Sequence, residues 1–426
     1  MTDIELQEGI TPVDVDAKIL DQWQELVDSV AILLAIPAAL IMRLNEKKIE
    51  VFRTSNSKGN PYKLFDNEVF FDSGLYCETV IRTDKKLYVA DALKDPDWKD
   101  NPDVSLNMIS YLGYPLKNSD STPFGTLCIL DDHYRKWTTD QEKVLVNFRN
   151  MIESHLDLIN KANELRVINT QIAKSIEFAS LIQHSIIPKD IAFKNYFTDH
   201  FVVWEPKDVV GGDIYLFNKL RDENEYILFV IDCTGHGVAG SLVTMIVRSI
   251  ERQIISSIKQ NNDEVNTAEV LSIFNKEIKT MLNQYDESAI SNVGFDGGII
   301  YFNKNRNIIR YSGSNTPFYY IHNNEIKILK GDKYSVGYKK SDINYEYTQY
   351  EIDTYEGMRV FVCTDGYVDQ LGGEKLFPYG KKRFKDTICA SDISLEEQKD
   401  IMIKSHKAYQ GEESRVDDLT LVGIVI

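Results

Sequence analysis

Residues 228–242 read LFVIDCTGHGVAGSL. An apolar run ends on Asp232, Gly235-His236-Gly237 follow, and a helical pattern then begins. Taken alone, the stretch is a strand ending in a turn that needs glycine. It is equally a place where backbone and ligand can approach closely, because glycine carries no Cβ. The rest of the chain has to decide between a turn and a metal or phosphate site.

From 190 onward, strand signals dominate. They are FVVWEP (201–206), IYLFNKL (214–220), EYILFVIDC (225–233), GGIIYFN (297–303), IIRYSG (308–313), PFYYIH (317–322), MRVFVCTDG (358–366) and LTLVGIVI (419–426). Two helical patterns, 241–260 and 267–285, lie among them. Successive strands with tight turns and two central helices predict antiparallel sheets covered by helices.

Acids recur at the ends of these strands: Asp213 after VVGG, Asp232 after FVI, Asp365 after VFVCT, and Asp417-Asp418 before LTLVGIVI. Any one of them reads as a turn. Four gathered at one edge of a sheet would repel one another and raise each other's pKa unless a cation neutralised them. Oxygen ligands without paired cysteines or histidines suit a hard ion, Mg²⁺ or Mn²⁺. Two such ions about 4 Å apart can activate a water for in-line attack at phosphorus. The adjacent Gly212, Gly235 and Gly366 leave room for backbone carbonyls or phosphate oxygens.

VGGDIY, IDCTGHGVAGSLVTM, CTDGYVD and VDDLTL, in this order, resemble the PPM-type metal-dependent serine/threonine phosphatases, and more narrowly their SpoIIE-like branch. The resemblance covers about 190–426. It implies two Mn²⁺ or Mg²⁺ ions bridged by Asp232. The backbone carbonyl of Cys233 would complete one site and Asp213 would hold the same ion largely through water. Asp365 and Asp417 would hold the other, and Asp418 would cap or orient its neighbour. The chain departs from the family's commonest pattern at YSGSNTPFYY (311–320) and at FDGGIIYF, where Asp296 stands in place of a threonine. Asp296 is then either a third-metal ligand or a strand-start cap. His236 is either a general acid or phosphate contact, or a residue that fixes the turn.

Upstream, IEFASLIQHSIIP (176–188) is similar to the helix that precedes SpoIIE-like catalytic domains. Apolar residues recur every three or four positions from Leu145 to Ile186, without glycine or proline. That run predicts a long helix, and a coiled-coil homodimer is the expectation it carries. Residues 20–139 resemble a GAF domain through SGLYCETVI (73–81), DALKDPDWKDNPDV (91–104) and SYLGYPL…FGTLCILDD (110–132). The resemblance implies a small ligand or signal of unknown identity, for which Tyr76, Cys77, Trp98 and Tyr111 could line a pocket; taken singly, each reads better as a core residue. The whole is thus an α+β multidomain chain: an arm (1–19), a GAF-like α/β sensor (20–139), a helical linker (140–189) and a β-sandwich flanked by helices (190–426).

Composition bounds the alternatives. The 426 residues carry a formal charge of −17, which argues against nucleic acid or an anionic membrane as partner. The five cysteines are scattered and never form a CxxC pair, which predicts neither a disulfide framework nor a zinc site and suits the cytoplasm. The most apolar stretch, VAILLAIPAALIM (30–42), is short of the roughly 20 residues that span a bilayer and reads as a helix turning into a strand. The leading expectation is a phosphoprotein phosphatase under sensor control, acting by family analogy on a STAS-type signalling protein. A non-catalytic sensor scaffold and a small phosphate-ester hydrolase are the alternatives.

Overall fold

The computed structural model describes residues 15–286, 288–388 and 393–426. Most of the expected N-terminal arm, and Cys389, lie outside them. The chain divides into two units, one up to Gln171 and one from Ile172.

The first unit is built on a six-stranded antiparallel sheet. In chain order its elements are α1 (Ala17–Leu34), β1 (Ala38–Asn45), β2 (Lys48–Thr54), β3 (Asn67–Val69), α2 (Tyr76–Thr83), β4 (Leu87–Val89), β5 (Ser110–Lys117) and β6 (Pro123–Asp131). The strand order is β3-β2-β1-β6-β5-β4. Strands β1 and β2 form a two-residue hairpin closed by Asn45 opposite Lys48, with Glu46 at φ 53°. One face of the sheet buries Leu112, Leu127 and Ile129 against Trp23, Val27 and Val30 of α1 and against Leu145, Ile152 and Leu156. Those last three belong to α3 (Thr139–Ile186), a 48-residue helix. The other face packs Leu40, Val51 and Leu130 against Tyr76, Val80 and Ile81 of α2.

The second unit is a sandwich of two five-stranded sheets. The elements after α3 are α4 (Asp190–Lys194), β7 (Asp199–Glu205), β8 (Asp213–Lys219), β9 (Glu225–Cys233), α5 (Gly237–Gln260), α6 (Thr267–Met281), β10 (Phe295–Asn303), β11 (Ile308–Ser314), β12 (Phe318–His322), β13 (Glu325–Leu329), β14 (Tyr350–Asp353), β15 (Arg359–Cys363), α7 (Asp365–Asp369), the short pair β16 (Leu371–Gly372) and β17 (Phe377–Pro378), α8 (Gly380–Ile388), α9 (Leu395–Gln410) and β18 (Leu419–Val425). The sheets run β14-β11-β10-β9-β8 and β13-β12-β15-β18-β7.

Strand β9 shows why its sequence reads as an unbroken apolar run. Ile227, Phe229 and Ile231 pack against Val243, Val247 and Ile250 of α5 and Phe274 of α6. Tyr226, Leu228 and Val230 face inward, against Val360, Val362, Val422 and Ile424 of the other sheet. With both faces covered, the period-2 polarity of a strand disappears. The second sheet's outer face buries Phe201, Phe361 and Leu421 under Phe384 and Met402 of α8 and α9. Among the described residues, no helix is long and apolar enough to cross a membrane.

Candidate metal centre

Strand register assembles the centre. Asp213 pairs directly with Asp232, and Asp232 with Asp296, so three acids stand in a row across β8, β9 and β10. Side chains alternate along a strand. Asp232 therefore shares the inner face with Leu228 and Val230, Asp213 with Tyr215 and Phe217, and Asp296 with Ile300 and Phe302. From the opposite sheet, Thr364 and Thr420 take the inner face with Val362 and Val422 by the same parity. The end of the sandwich thus gathers acids from one sheet and hydroxyls from the other.

Asp213 is the most enclosed of these acids, only 1% exposed. Its Oδ2 accepts from the hydroxyls of Thr364 and Thr420, each at 2.7 Å. Its Oδ1 is buried and has no hydrogen-bond partner. Burial pushes the carboxyl up to about 8; the threonine hydroxyls oppose this, and the Asp418 and Asp365 charges add to it. A buried carboxylate with an empty acceptor is costly unless a cation or proton satisfies it.

Asp232 and Asp417 are half-buried and Asp365 is exposed. Burial raises Asp232 well above the carboxylate range, and the charges of Asp213, Asp365 and Asp417 raise it further. Asp365, at the start of α7, is raised first by burial, while a hydrogen bond with Asp232 holds it down. No three of these acids bring their oxygens within 4.8 Å of one another.

Asp418 does a different job from its neighbour. It is 2% exposed, and its oxygens accept from the backbone N–H of Lys207 at 2.7 Å and of Gly212 at 2.6 Å. It ties the 207–212 loop to β18. Its N–H in turn donates to Asp417 Oδ1 at 2.8 Å.

The glycines are required by close approach. A Cβ on Gly212 would lie 2.2 Å from the Gly235 carbonyl oxygen and 2.7 Å from that of Cys233. One on Gly366 would lie 2.0 Å from the Asp418 carbonyl oxygen. Gly235 and Gly237 have φ of 84° and 63°, a region where glycine is favoured. The carbonyls of Cys233 and Gly235 therefore crowd the loop that leads into Asp213, while the Cys233 thiol is buried among the helices, its pKa well raised by that burial.

His236 and Asp296 have specific partners. His236 is exposed and its Nδ1 lies 2.9 Å from Asp208 Oδ2. Asp296 Oδ1 accepts from Ser314 Oγ at 2.8 Å and Asn315 Nδ2 at 3.0 Å, so the divergent YSGSN stretch contacts the one acid that departs from the family pattern.

Three residues of the site were not singled out by sequence. Thr364 and Thr420 sit inside the quoted CTDG and DDLTL motifs, but their shared target appears only once the two sheets face each other. Gln183, near the end of α3, is 1% exposed; its Nε2 donates to the Gly211 carbonyl at 2.7 Å, and its Oε1 accepts from the Gly211 N–H at 3.1 Å. The Gln in LIQHSIIP was its only sequence signal.

In the first unit, the four residues suggested as pocket lining do meet. Tyr76 stacks on Tyr111 at 4.6 Å between ring centroids and lies 5.1 Å from Trp98. Only Cys77 and Tyr111 of the four line the adjacent cavity, of about 600 Å³; Tyr76 and Trp98 stand behind its wall. The position of Tyr76 in the core, fully buried, removes it from that surface.

The donor set fits hard divalent cations. Asp213 with its orphaned oxygen, Asp232, Asp365, Asp417 and the Cys233 carbonyl are the groups that would hold them.

Residues 222–426 match the family model "Stage II sporulation protein E (SpoIIE)". The SiaA PP2C domain of Pseudomonas aeruginosa is similar in structure, with a TM-score of 0.53 and 29% identity over 61% of this chain and 98% of that one. The PP2C phosphatase domain of SpoIIE from Bacillus subtilis, with a fragment of its regulatory domain, has a TM-score of 0.39 and 16% identity over 54% of this chain and 61% of that one. The catalytic domain of the serine/threonine phosphatase PstP, solved with two manganese ions, has a TM-score of 0.39 and 13% identity over 54% and 98%. No curated protein matches the chain. Residues 222–426 thus carry a SpoIIE-type match, and the sandwich with its strand-end acids has the likeness of a PP2C-type domain.

Proposed function

We propose that the second unit is a metal-dependent phosphatase that hydrolyses phosphoserine or phosphothreonine on a protein. The observation that carries this is Asp213: wholly buried, one oxygen held by two threonines, the other unpartnered, with Asp232 directly opposite. Bound Mn²⁺ or Mg²⁺ would supply Lewis acidity, generating a nucleophile at neutral pH and neutralising charge that develops at phosphorus.

The protein's own groups do the rest. Asp232, Asp213, Asp365 and Asp417 are the proposed ligands, with the Cys233 carbonyl. Thr364 and Thr420 keep Asp213 in one orientation. Asp418 and the close-packed glycines fix the loop that carries Asp213. His236, exposed and paired with Asp208 at the start of α5, is proposed as a substrate contact rather than a ligand.

The first unit is proposed as a GAF-like sensor, with α3 as dimerising relay. Gln183 supports the relay, because the helix ends in two hydrogen bonds to Gly211, two residues before Asp213. A STAS-type signalling protein is the proposed substrate, by analogy with the family alone.

The full chain should hydrolyse an aryl phosphate and a phosphoserine peptide in Mn²⁺ or Mg²⁺. Asp232→Ala should cost about a thousandfold in rate, roughly 4 kcal/mol of transition-state stabilisation. A folded chain inactive in both metals, or full activity in the variant, would sink the assignment.

A further inference from the structure

Scattered in sequence, Cys77 and Cys128 are neighbours in the first unit. Cys77 is on α2 and Cys128 on β6, and their Sγ atoms lie 3.8 Å apart. Both thiols are free and line the same cavity of about 600 Å³. That cavity reaches the surface, since its lining includes the exposed Val69, Phe71 and Leu106. Three hydroxyl contacts surround the pair: Thr126 Oγ1 lies 3.3 Å from Cys77 Sγ and 3.9 Å from Cys128 Sγ, and the Tyr111 hydroxyl lies 3.5 Å from Cys77 Sγ. Cys233 and Cys363, in contrast, are packed singly in the apolar clusters of the second unit.

We propose that Cys77 and Cys128 form a reactive dithiol site that a hydroperoxide entering this cavity oxidises to an intramolecular disulfide. The sulfurs have to close from 3.8 Å to about 2 Å to make the bond. The roles are unequal. The hydrogen bond from Cys128, joined by those from Thr126 and Tyr111, lowers the Cys77 thiol against the effect of burial, whereas burial raises Cys128 well above its ordinary range. Cys77 is thus the attacking sulfur and Cys128 the resolving one.

The chemistry balances in two steps. The Cys77 thiolate attacks the peroxide, the O–O bond breaks, and the leaving oxygen takes a proton as water or alcohol; Cys77 becomes a sulfenic acid, oxidised by two electrons as the peroxide is reduced. Cys128 then gives up its proton and attacks the Cys77 sulfur, the S–O bond breaks, and hydroxide leaves with that proton as water. An added thiol reverses the result by exchange.

The test uses reduced full-length protein in a roughly tenfold excess of hydrogen peroxide or cumene hydroperoxide. Intact mass should show the loss of two hydrogens, peptide mapping should place one disulfide at Cys77–Cys128, and dithiothreitol should restore the starting mass. Both thiols should disappear at least about tenfold faster than those of Cys233 and Cys363. Cys128→Ser should leave a sulfenic acid on Cys77 that dimedone traps, and Cys77→Ser should leave Cys128 unreacted. Survival of both thiols in the folded wild-type chain, or oxidation at the same rate as Cys233 and Cys363, would overturn the proposal without recourse to the variants.

Discussion

The carboxyl of Asp213 shows how much a single oxygen can depend on its neighbours. Thr420 Oγ1 donates only to Asp213, while Thr364 Oγ1 also accepts the Thr420 N–H at 2.9 Å. Thr420→Val therefore removes one donor with little change of shape. It should weaken metal binding about 10–100-fold. The readout is the Mn²⁺ concentration giving half-maximal activity, with the rate at saturation much less affected; an unmoved metal curve would refute the positioning role. In the other unit, burial pushes the Asp103 carboxyl up to about 6, opposed by the Tyr62 hydroxyl at 2.8 Å. Between about pH 4 and 6 the native state holds a proton that the unfolded chain has lost, so stability falls as pH rises through that window and then levels off. The loss is up to about 3 kcal/mol. Asp103→Asn should flatten the dependence in urea unfolding followed by tryptophan fluorescence, to which this unit contributes three of the four tryptophans, Trp23, Trp98 and Trp137. The strand-end acids were readable because an apolar run, an Asp and a Gly are adjacent. Asp103 carries no such local signal, since its burial comes from residues distant in sequence.

Helix α3 changes its job along its length. Its early apolar residues, Leu145, Ile152 and Leu156, are consumed by the first unit's core. Further on, Leu158, Leu165 and Ile172 are exposed at seven-residue spacing, with Ile168 and Ile182 fourteen residues apart beside them. The early positions pack into a core and the later ones stand exposed, so no single heptad frame has to run the length of the helix. The dimer proposed above would use this exposed stripe as its face. Light scattering at micromolar concentration should give a dimer, and Leu165→Glu with Ile172→Glu should give a folded monomer; a monomeric wild type would remove this role from the helix. Elsewhere, the long strands of the sandwich were legible from their apolar runs. Strand β5 was not read as one, because Gly113 and Pro115 interrupt it. Gly113 is there because a Cβ would lie 2.1 Å from the Tyr111 hydroxyl oxygen. Helices α8 and α9 also escaped, their polarity masking the few residues, such as Phe384 and Met402, that reach the core.

At the scale of the whole molecule, the chain carries a net charge of −17, and at one end of the sandwich Asp213, Asp232, Asp365, Asp417 and Asp418 act on one another. Without a cation this is a source of strain, and with one it becomes a source of stability. A ligand present at a hundred times its Kd adds about 2.7 kcal/mol to the folded state. For a unit of this size that is about 5–10 °C in Tm. Saturating Mn²⁺ should raise one calorimetric transition of the full chain by that amount, EDTA should abolish the rise, and Asp232→Asn should largely suppress it. An identical melting curve with and without Mn²⁺ would contradict the centre described above. The sandwich of sheets covered by helices was legible in advance because its turns and apolar runs are local. The pairing of Asp213, Asp232 and Asp296 in one row was not, because register is a property of three strands at once.

Gln183 holds Gly211 through both the N–H and the C=O, as a neighbouring strand would. Gly211 lies outside any strand, yet its amide proton is shielded as if it lay in a sheet. Its hydrogen-exchange rate should therefore be slow for a loop, and it should quicken whenever the end of the helix lets go. One backbone proton would then report, in solution and without substrate, whether the helix is seated on the catalytic loop.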